Sequence, residues 1–216
     1  SFLVKVNIVE DNIVEGDESF AIKIIDAINA TIDPAENSGT VNIIDDDTVE
    51  FSIYGIGQDE QYYPGDEGDF EPQSIVFGPS HSDVEEGQVA EYVISYGGVL
   101  ADGVSASVTF DTASGTVIGF DATEGVDFDE STGTLTFTGG TGVTSATVSV
   151  QTTDDVFVEN DEDYSINLMS TSVNATINPD ADHVDTTIIN DDFFPTISVN
   201  DMSVDENAGT LTFTVS

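Results

Sequence analysis

The sequence predicts an all-β fold, an immunoglobulin-like antiparallel β-sandwich that is repeated along the chain. Wherever apolar residues cluster, they alternate with polar ones, which is the period of a half-buried strand. The clusters are separated by Gly, Asn, Asp and Ser, as at residues 97–98 and 139–142, and no sustained 3.6-residue stripe with helix caps occurs. Many short strands joined by polar turns are typical of a sandwich.

Nine segments show this alternation and are predicted to be strands. In chain order their inward-facing residues are Val4, Val6 and Ile8; Phe20, Ile22 and Ile24; Val41 and Ile43; Tyr92, Ile94 and Tyr96; Ala106, Val108 and Phe110; Leu135 and Phe137; Ala146, Val148 and Val150; Tyr164, Ile166 and Leu168; and Leu211, Phe213 and Val215.

An acidic phrase occurs twice in the chain. Residues 10–20 recur as residues 154–164, and the carboxylates keep their spacing while the residues between them change. Two further phrases follow each copy in the same order, since residues 29–34 match 174–179 and residues 45–47 match 190–192. The copies are separated by 144 to 145 residues throughout. A near-constant spacing indicates tandem domains.

The repeat sets the predicted domain boundaries. Asp47 and Asp192 close equivalent units, so that residues 48–192 form the complete domain. Residues 1–47, the first unit, match only the later strands of such a domain, and residues 193–216, the last unit, match only its first strands. We expect the chain to be an excerpt from a longer array, in which its partners are neighbouring repeats of the same protein.

The complete domain carries an insertion at about residues 54–82. Residues 51–53 match 197–199, and residues 84–86 match 204–206. The stretch between residues 53 and 84 is about 26 residues longer than the stretch between residues 199 and 204. The inserted segment is rich in acidic and aromatic residues, Gly and Pro, which favours a surface loop or a small hairpin.

The charge of the chain is strongly one-sided. Its 216 residues contain 2 Lys and Arg against 43 Asp and Glu, a formal net charge of −41. Nucleic acids and anionic membrane surfaces are excluded as partners because both require clustered basic residues. Self-repulsion of this size requires neutralisation, either by bound divalent cations or by a salty medium around a solvated acidic surface.

The composition favours an extracellular or cell-surface location. The chain has no cysteine, so that metal ions are the remaining clamp for a fold that otherwise has the character of a secreted protein. No apolar stretch approaches the roughly 20 residues of a membrane span. We therefore expect no membrane insertion.

The repeated carboxylates have the chemistry of a calcium site. Ca²⁺ takes six to eight oxygen ligands in an adaptable geometry. Asp155, Glu159 and Glu162 can converge on one ion only if the chain turns between them, and Asn160 and Asp161 are turn formers. Asp-rich loops are also common as solvated turns, but that alternative does not explain why the spacing is repeated.

These phrases resemble the Calx-beta domain family, which occurs in sodium/calcium exchangers and in long bacterial surface proteins. The matching segments of the complete domain follow the family's order over nearly its whole length. They are residues 84–87, 112–116, 125–128, 133–137, 154–164 and 190–192.

The resemblance implies a sandwich with a multi-calcium cluster at one end. The implied ligands in the complete domain are Glu86, Asp127, Asp154, Asp155, Glu159, Glu162, Asp191 and Asp192. Those retained in the first unit are Glu10, Asp11, Glu15, Glu18, Asp45, Asp46 and Asp47. Asn190 replaces Asp45, which removes one charge and is expected to weaken one ion. We expect firm binding in the complete domain, weaker or absent binding in the first unit, and none in the last unit unless a neighbour completes it.

The predicted function is a calcium-rigidified structural module of a long secreted or cell-surface protein, such as an adhesin or stalk. One alternative is a binding module whose insertion recognises a glycan or a protein. Another is a filament subunit in which the partial units of different copies pair by strand exchange. A calcium sensor is less favoured because the sequence identifies no partner for it to act on.

No enzyme is predicted. Residues 110–115 resemble an aspartic-protease loop, but Ala113 stands where that loop requires glycine. His81 and His183 lack the neighbours of a zinc site, and no nucleophile-elbow signature occurs.

Overall fold

The computed structural model describes residues 2–56, 81–117 and 119–215. Two β-sheets pack face to face, which confirms the predicted all-β sandwich. The strands are β1 (Ile13–Val14), β2 (Glu18–Lys23), β3 (Ser38–Ile43), β4 (Val49–Ile56), β5 (His81–Glu85), β6 (Val89–Gly97), β7 (Val99–Leu100), β8 (Ser105–Ser114), β9 (Thr132–Thr138), β10 (Ser145–Gln151), β11 (Glu162–Thr171), β12 (Ala175–Ile177) and β13 (His183–Ile189).

The sandwich consists of a five-stranded sheet in the order β5-β13-β11-β8-β9 and a four-stranded sheet in the order β10-β6-β4-β12. Most neighbours are antiparallel, as predicted. The prediction is wrong for two pairs at sheet edges, since β5 runs parallel to β13 and β12 runs parallel to β4. In both pairs an early strand of the domain lies beside a late one, so that its two ends close against each other.

The core lies between the two sheets and is filled by alternate residues of their strands. Phe51 and Ile53 of β4, Ile94 of β6, Val108 of β8 and Ile166 of β11 are each at most 1% exposed. The residues between them face outward, as the burial alternation of β8 illustrates. The period-2 pattern in the sequence therefore identifies the core correctly for the central strands.

An aromatic pair packs close to the acidic end of the sandwich. The rings of Phe128 and Tyr164 stack with their centroids 4.4 Å apart, and both side chains are buried. Phe128 directly follows the candidate ligand Asp127, and Tyr164 lies two residues after the candidate ligand Glu162. The stacked rings therefore anchor two of the acidic segments in the core.

A buried hydroxyl network joins the two sheets. The hydroxyl group of Tyr92 lies 2.7 Å from that of Tyr164 and 2.6 Å from Oγ1 of Thr186. Oγ1 of Thr186 also lies 3.0 Å from Oγ of Ser82. Because buried polar groups are costly when unpaired, this network stabilises only the arrangement that brings β5, β6, β11 and β13 together.

The first and last units form little regular structure. In the first unit β2 and β3 make an antiparallel hairpin, and β1 pairs with β7 of the complete domain. The predicted strands at residues 4–8 and 211–215 are not formed, apart from a single bridge between Val199 and Val215. A strand needs a neighbour for its backbone hydrogen bonds, and the described residues offer none to these segments.

The predicted insertion falls mostly outside the described residues. Its first residues, 54–56, belong to β4, and His81 and Ser82 belong to β5, while residues 57–80 are not described. The predicted loop and the domain boundaries therefore stay predictions. Within the described part of the chain, no helix combines the length and apolar character needed to cross a bilayer.

We expect Tyr92→Phe to lower the free energy of unfolding by about 1–2 kcal/mol, because the hydroxyls of Tyr164 and Thr186 each lose a buried partner. Urea unfolding measures the change. Tyr96→Phe is the matched control, since the ring of Tyr96 packs on Phe51 and Phe137 and lies only half-buried. Equal losses in the two variants would contradict a role for the network.

Candidate metal centre

Four connections of the complete domain meet at one end of the sandwich. Strands β5, β10 and β13 end there, β11 begins there, and the loop between β8 and β9 reaches the same end through a bridge between Phe128 and Thr152. Each connection carries at least one predicted ligand. The strand pairings thus bring together carboxylates that lie far apart in the sequence.

Three carboxylates form a first group, which we call the Glu86 triad. Glu86, Asp155 and Asp192 each place one oxygen within 4.8 Å of those of the other two. Oε2 of Glu86 and Oδ2 of Asp192 are buried and have no hydrogen-bond partner among the described residues. An ionised carboxylate in this state is costly unless a cation or a proton neutralises it. The residues present therefore fit a bound cation.

A second group, the loop triad, lies beside the first. Asp127, Glu159 and Glu162 place one oxygen each within 4.8 Å of one another. Oδ2 of Asp127 accepts a hydrogen bond of 2.6 Å from the backbone N–H of Thr123, which holds this carboxylate in its loop. All members of the two triads except Asp192 line one cleft. The two triads bring together six of the eight predicted ligands of the complete domain.

The crowding raises the pKa of several of these carboxyl groups. Burial and the charges of Asp155, Asp192, Asp191 and Glu159 raise the pKa of Glu86 to about 7. Burial and the charges of Asp127 and Glu159 likewise raise the pKa of Glu162 to about 7. The pKa values of Glu159 and Asp192 are also raised, first by burial and then by neighbouring carboxylates. The cleft therefore favours anything that neutralises negative charge.

The other two predicted ligands, Asp154 and Asp191, lie outside both triads. The side chain of Asp154 lies so close to Gly87 that a Cβ added at Gly87 would lie 2.8 Å from the Cβ of Asp154. Gly87 also has a φ of +71°, which side chains rarely adopt. Asp191 is exposed, but its charge contributes to the raised pKa values of Glu86 and Asp192.

Two neutral residues that the sequence analysis missed hold the segment that carries Glu86. The amide Nε2 of Gln151 lies 2.9 Å from the carbonyl oxygen of Gly87 and 3.2 Å from that of Gln88. Oγ1 of Thr152 donates to the carbonyl of Gln88 at 2.8 Å. The end of β10 and the turn after β5 are thereby tied together. Only the position of these residues, directly before the acidic phrase, could have suggested this role.

The acidic loops of the two repeats are built alike. Oδ1 of Asp155 accepts the N–H of Phe157 at 2.7 Å, and Oδ1 of Asp11 accepts the N–H of Ile13 at 3.0 Å. Further along each loop, Oδ1 of Asp161 accepts the N–H of Asn190, and Oδ1 of Asp17 accepts the N–H of Asp45. The same backbone turn thus occurs in both units although the residues between the carboxylates differ.

Asp45 and Asn190 occupy the same position and tie these loops through different groups. Oδ2 of Asp45 accepts the N–H groups of Glu15 and Gly16 at 3.0 and 2.9 Å. Nδ2 of Asn190 instead donates to the carbonyl of Glu159 at 3.2 Å. We expect Asn190 to weaken the binding of one ion by removing a ligand charge. In the structure, the side chain at this position forms hydrogen bonds with the backbone of the loop.

The predicted ligands of the first unit are less tightly grouped. They are Glu10, Asp11, Glu15, Glu18, Asp45, Asp46 and Asp47, and in the described structure no three of them lie as close together as the triads do. Desolvation and neighbouring carboxylates raise the pKa of Glu15 and of Asp47. Desolvation also raises the pKa of Asp45, but the N–H groups of Gly16, Asp47 and Glu15 outweigh it and lower the value.

Without metal, we expect the protein to be more stable at pH 6 than at pH 8. The folded-state pKa values of Glu86 and Glu162, about 7, lie above the ordinary value of 4.5. Their contribution to stability is therefore present at low pH and is lost as the pH rises through 7. Thermal unfolding in EDTA measures the trend, and Glu86→Gln should flatten it. A higher melting temperature at pH 8 would contradict the raised pKa values.

A family profile and several solved structures are similar to this chain. The Calx-beta domain profile matches residues 1–47 and 70–193. Among solved structures, the apo-form Calx CBD1 domain is 23% identical with a TM-score of 0.47, and the match covers 66% of this chain and 99% of that one. No curated protein sequence matches this chain.

Two further similar structures each contain more than the matched part. CBD12 from CALX1.2 is 26% identical with a TM-score of 0.46, over 60% of this chain and 50% of that one. The calcium binding domain CBD12 of CALX1.1 is also 26% identical, with a TM-score of 0.45, over 60% of this chain and 52% of that one. This chain spans about half the length of each. Because the profile match covers most of its residues, the chain belongs to the Calx-beta domain family.

Proposed function

We propose that this chain is a calcium-binding structural module of a long extracellular or cell-surface repeat protein, in which calcium stiffens the junctions between units. The observation that carries the proposal is a pair of buried oxygens, Oε2 of Glu86 and Oδ2 of Asp192, that have no hydrogen-bond partner among the described residues. Glu86 lines a cleft with four more carboxylates, and Asp192 places an oxygen within 4.8 Å of those of Glu86 and Asp155. Burial of such groups favours a cation, and membership of the Calx-beta domain family supports calcium.

Ligand chemistry favours calcium over other metals. All six groups of the two triads are carboxylates, which suit hard cations, whereas zinc and copper sites contain His or Cys. Magnesium demands a near-ideal octahedron and keeps much of its water, while calcium accepts crowded and bidentate carboxylates. Extracellular calcium modules bind with dissociation constants on the order of 10⁻⁴ to 10⁻³ M, and we expect this range here.

The position of the ligands supports a mechanical role. Asp192 lies where the complete domain ends, and Asp47 holds the same position one residue before Thr48, at the start of the complete domain. Neutralising these carboxylates removes repulsion at the point where one unit meets the next. The junction then loses the freedom that a loose acidic loop would have, which favours an extended rod.

The first test is thermal unfolding in EDTA, in millimolar CaCl₂ and in MgCl₂ at matched ionic strength. We expect a rise of the melting temperature that is much larger with CaCl₂, because selective binding stabilises only the folded state. Equal shifts with the two salts would mean that charge screening suffices and would contradict a calcium site.

A single substitution separates ligation from general acidity. Glu86→Gln removes a buried charge, so that we expect a higher melting temperature in EDTA together with a smaller calcium-induced rise. Glu50→Gln is the matched control because Glu50 is exposed and pairs with Gly97 at the opposite end of the sandwich. A similar effect of both substitutions on the calcium-induced rise would contradict the assignment of Glu86 as a ligand.

Gln151→Ala tests the support of the turn that carries Glu86. Substitution of a residue that orients metal ligands typically lowers metal affinity by about 10- to 100-fold, and we expect a loss of calcium affinity in this range. Isothermal titration calorimetry measures it. Gln88→Ala is the control, since Gln88 contributes only its backbone carbonyl to the contact. Unchanged affinity in Gln151→Ala would rule out the supporting role.

The remaining sequence-based expectations stay predictions. Glycan or protein recognition was assigned to residues 54–82, most of which lie outside the described structure. Self-association between partial units would be detected by light scattering at increasing protein concentration. The expectation that the chain is not an enzyme also stays a prediction.

A further inference from the structure

A short segment of the first unit is inserted into the complete domain. Ile13 and Val14 form β1, which pairs in parallel with Val99 and Leu100 of β7. The N–H of Ala101 donates to the carbonyl of Val14 at 2.9 Å. Val14 is 1% exposed and belongs to the same hydrophobic core as Leu100. Two residues of one unit thus add a strand to the next unit and place a side chain in its core.

This docking pair lies inside the acidic loop of the first unit. Ile13 and Val14 stand between Asp11 and Glu15, and Oδ1 of Asp11 accepts the N–H of Ile13 at 3.0 Å. The turn that positions the carboxylate therefore also sets the direction of the apolar pair. Val14 enters the core of the next unit, whereas Ile13 lies among residues of its own unit, beside Asp11 and Glu15.

The complete domain repeats this arrangement with the apolar pair uncovered. Phe157 and Val158 stand between Asp155 and Glu159, and Oδ1 of Asp155 accepts the N–H of Phe157 at 2.7 Å. Phe157 is 66% exposed, and Val158 is only half-buried. An exposed aromatic residue among carboxylates contributes nothing visible to the domain that carries it.

We propose that Phe157 and Val158 form the docking strand for a following unit of the same family, which receives them on the edge equivalent to β7. The inference rests on the proposed repeat array and is argued from continuity with the β1–β7 interface, because the two loops share the same turn. The last unit already begins such a domain by sequence, since residues 204–206 match residues 84–86.

The interface has the geometry of an open array. Donor pair and acceptor edge are different surfaces of a unit, so that each unit offers one of each and successive units join head to tail without closing on themselves. Since each donor pair is bracketed by predicted calcium ligands, ordering the acidic loop would also order the docking strand. Calcium binding and unit docking would then support each other.

The test transplants the second pair into the position of the first, where an acceptor edge is present. Asn12→Val combined with Ile13→Phe gives the first unit the residues found at 156–158. Val14→Ser, a separate variant, removes the apolar side chain that the first unit places in the core of the next. Hydrogen exchange of the Ala101 amide reports docking, and the amide of Ile53, bonded to the carbonyl of Ala181 at 3.0 Å, reports global stability.

We expect the transplant to keep the protection of Ala101 within about threefold of the original chain, whereas Val14→Ser should lose about tenfold or more relative to Ile53. A transplant that exchanges Ala101 as fast as Val14→Ser would overturn the proposal. Phe157→Ser should leave the melting temperature nearly unchanged. A fall of more than about 5 °C would place Phe157 in the core of its own domain and would also overturn it.

The outcome is separable from that of the calcium test. Exchange is measured in EDTA and in CaCl₂. Protection of Ala101 in the transplant without any calcium-dependent rise of the melting temperature would support docking while contradicting the calcium site. A selective rise of the melting temperature with calcium, together with loss of Ala101 protection in the transplant, would support the calcium site while contradicting docking.

Discussion

Repulsion among carboxylates at one end of the sandwich is the constraint to which the rest of this structure responds. Six carboxyl groups from four connections are held within two adjacent triads, in a chain that carries a formal net charge of −41. Such groups do not approach one another spontaneously. They are held there because the strands that carry them are fastened by a core and a hydroxyl network whose favourable energy does not depend on the charges.

The fastening is local as well as global. Phe128 and Tyr164 stack directly beneath two of the acidic segments, and Gln151 and Thr152 tie the turn of Glu86 to the end of β10. These contacts hold the ends of the strands that carry the carboxylates, so that a bound cation would need to order only the acidic loop between them, which reduces the ordering cost of binding.

The acidic loop of the first unit joins predicted metal ligands and a junction in one segment of chain. Ile13 and Val14 stand between Asp11 and Glu15, and Asp11 accepts the N–H of Ile13 as Asp155 accepts that of Phe157. Val14 becomes part of the core of the complete domain. The fold of the loop, its predicted metal ligands and the joining of units therefore involve the same few residues.

The sequence by itself determined the fold class, the repeat and the set of candidate ligands, because period-2 alternation and repeated spacing are local properties of the chain. It failed where a side chain's direction depends on distant partners. The contacts of Asp45 and Asn190 with the loop backbone were not predicted, and the support from Gln151 gave no recognisable signal. The strands predicted at residues 4–8 and 211–215 had the right pattern but found no neighbour.

Only the tertiary structure decided which carboxylates meet. Glu86, Asp155 and Asp192 converge because β5 lies parallel to β13 while β10 ends beside the turn after β5, and these contacts join residues about 40 to 100 positions apart. It likewise decided that Val14 lies in the core of the following unit. Spacing along a chain specifies how many residues separate two groups, whereas long-range strand pairing specifies whether they face the same point in space.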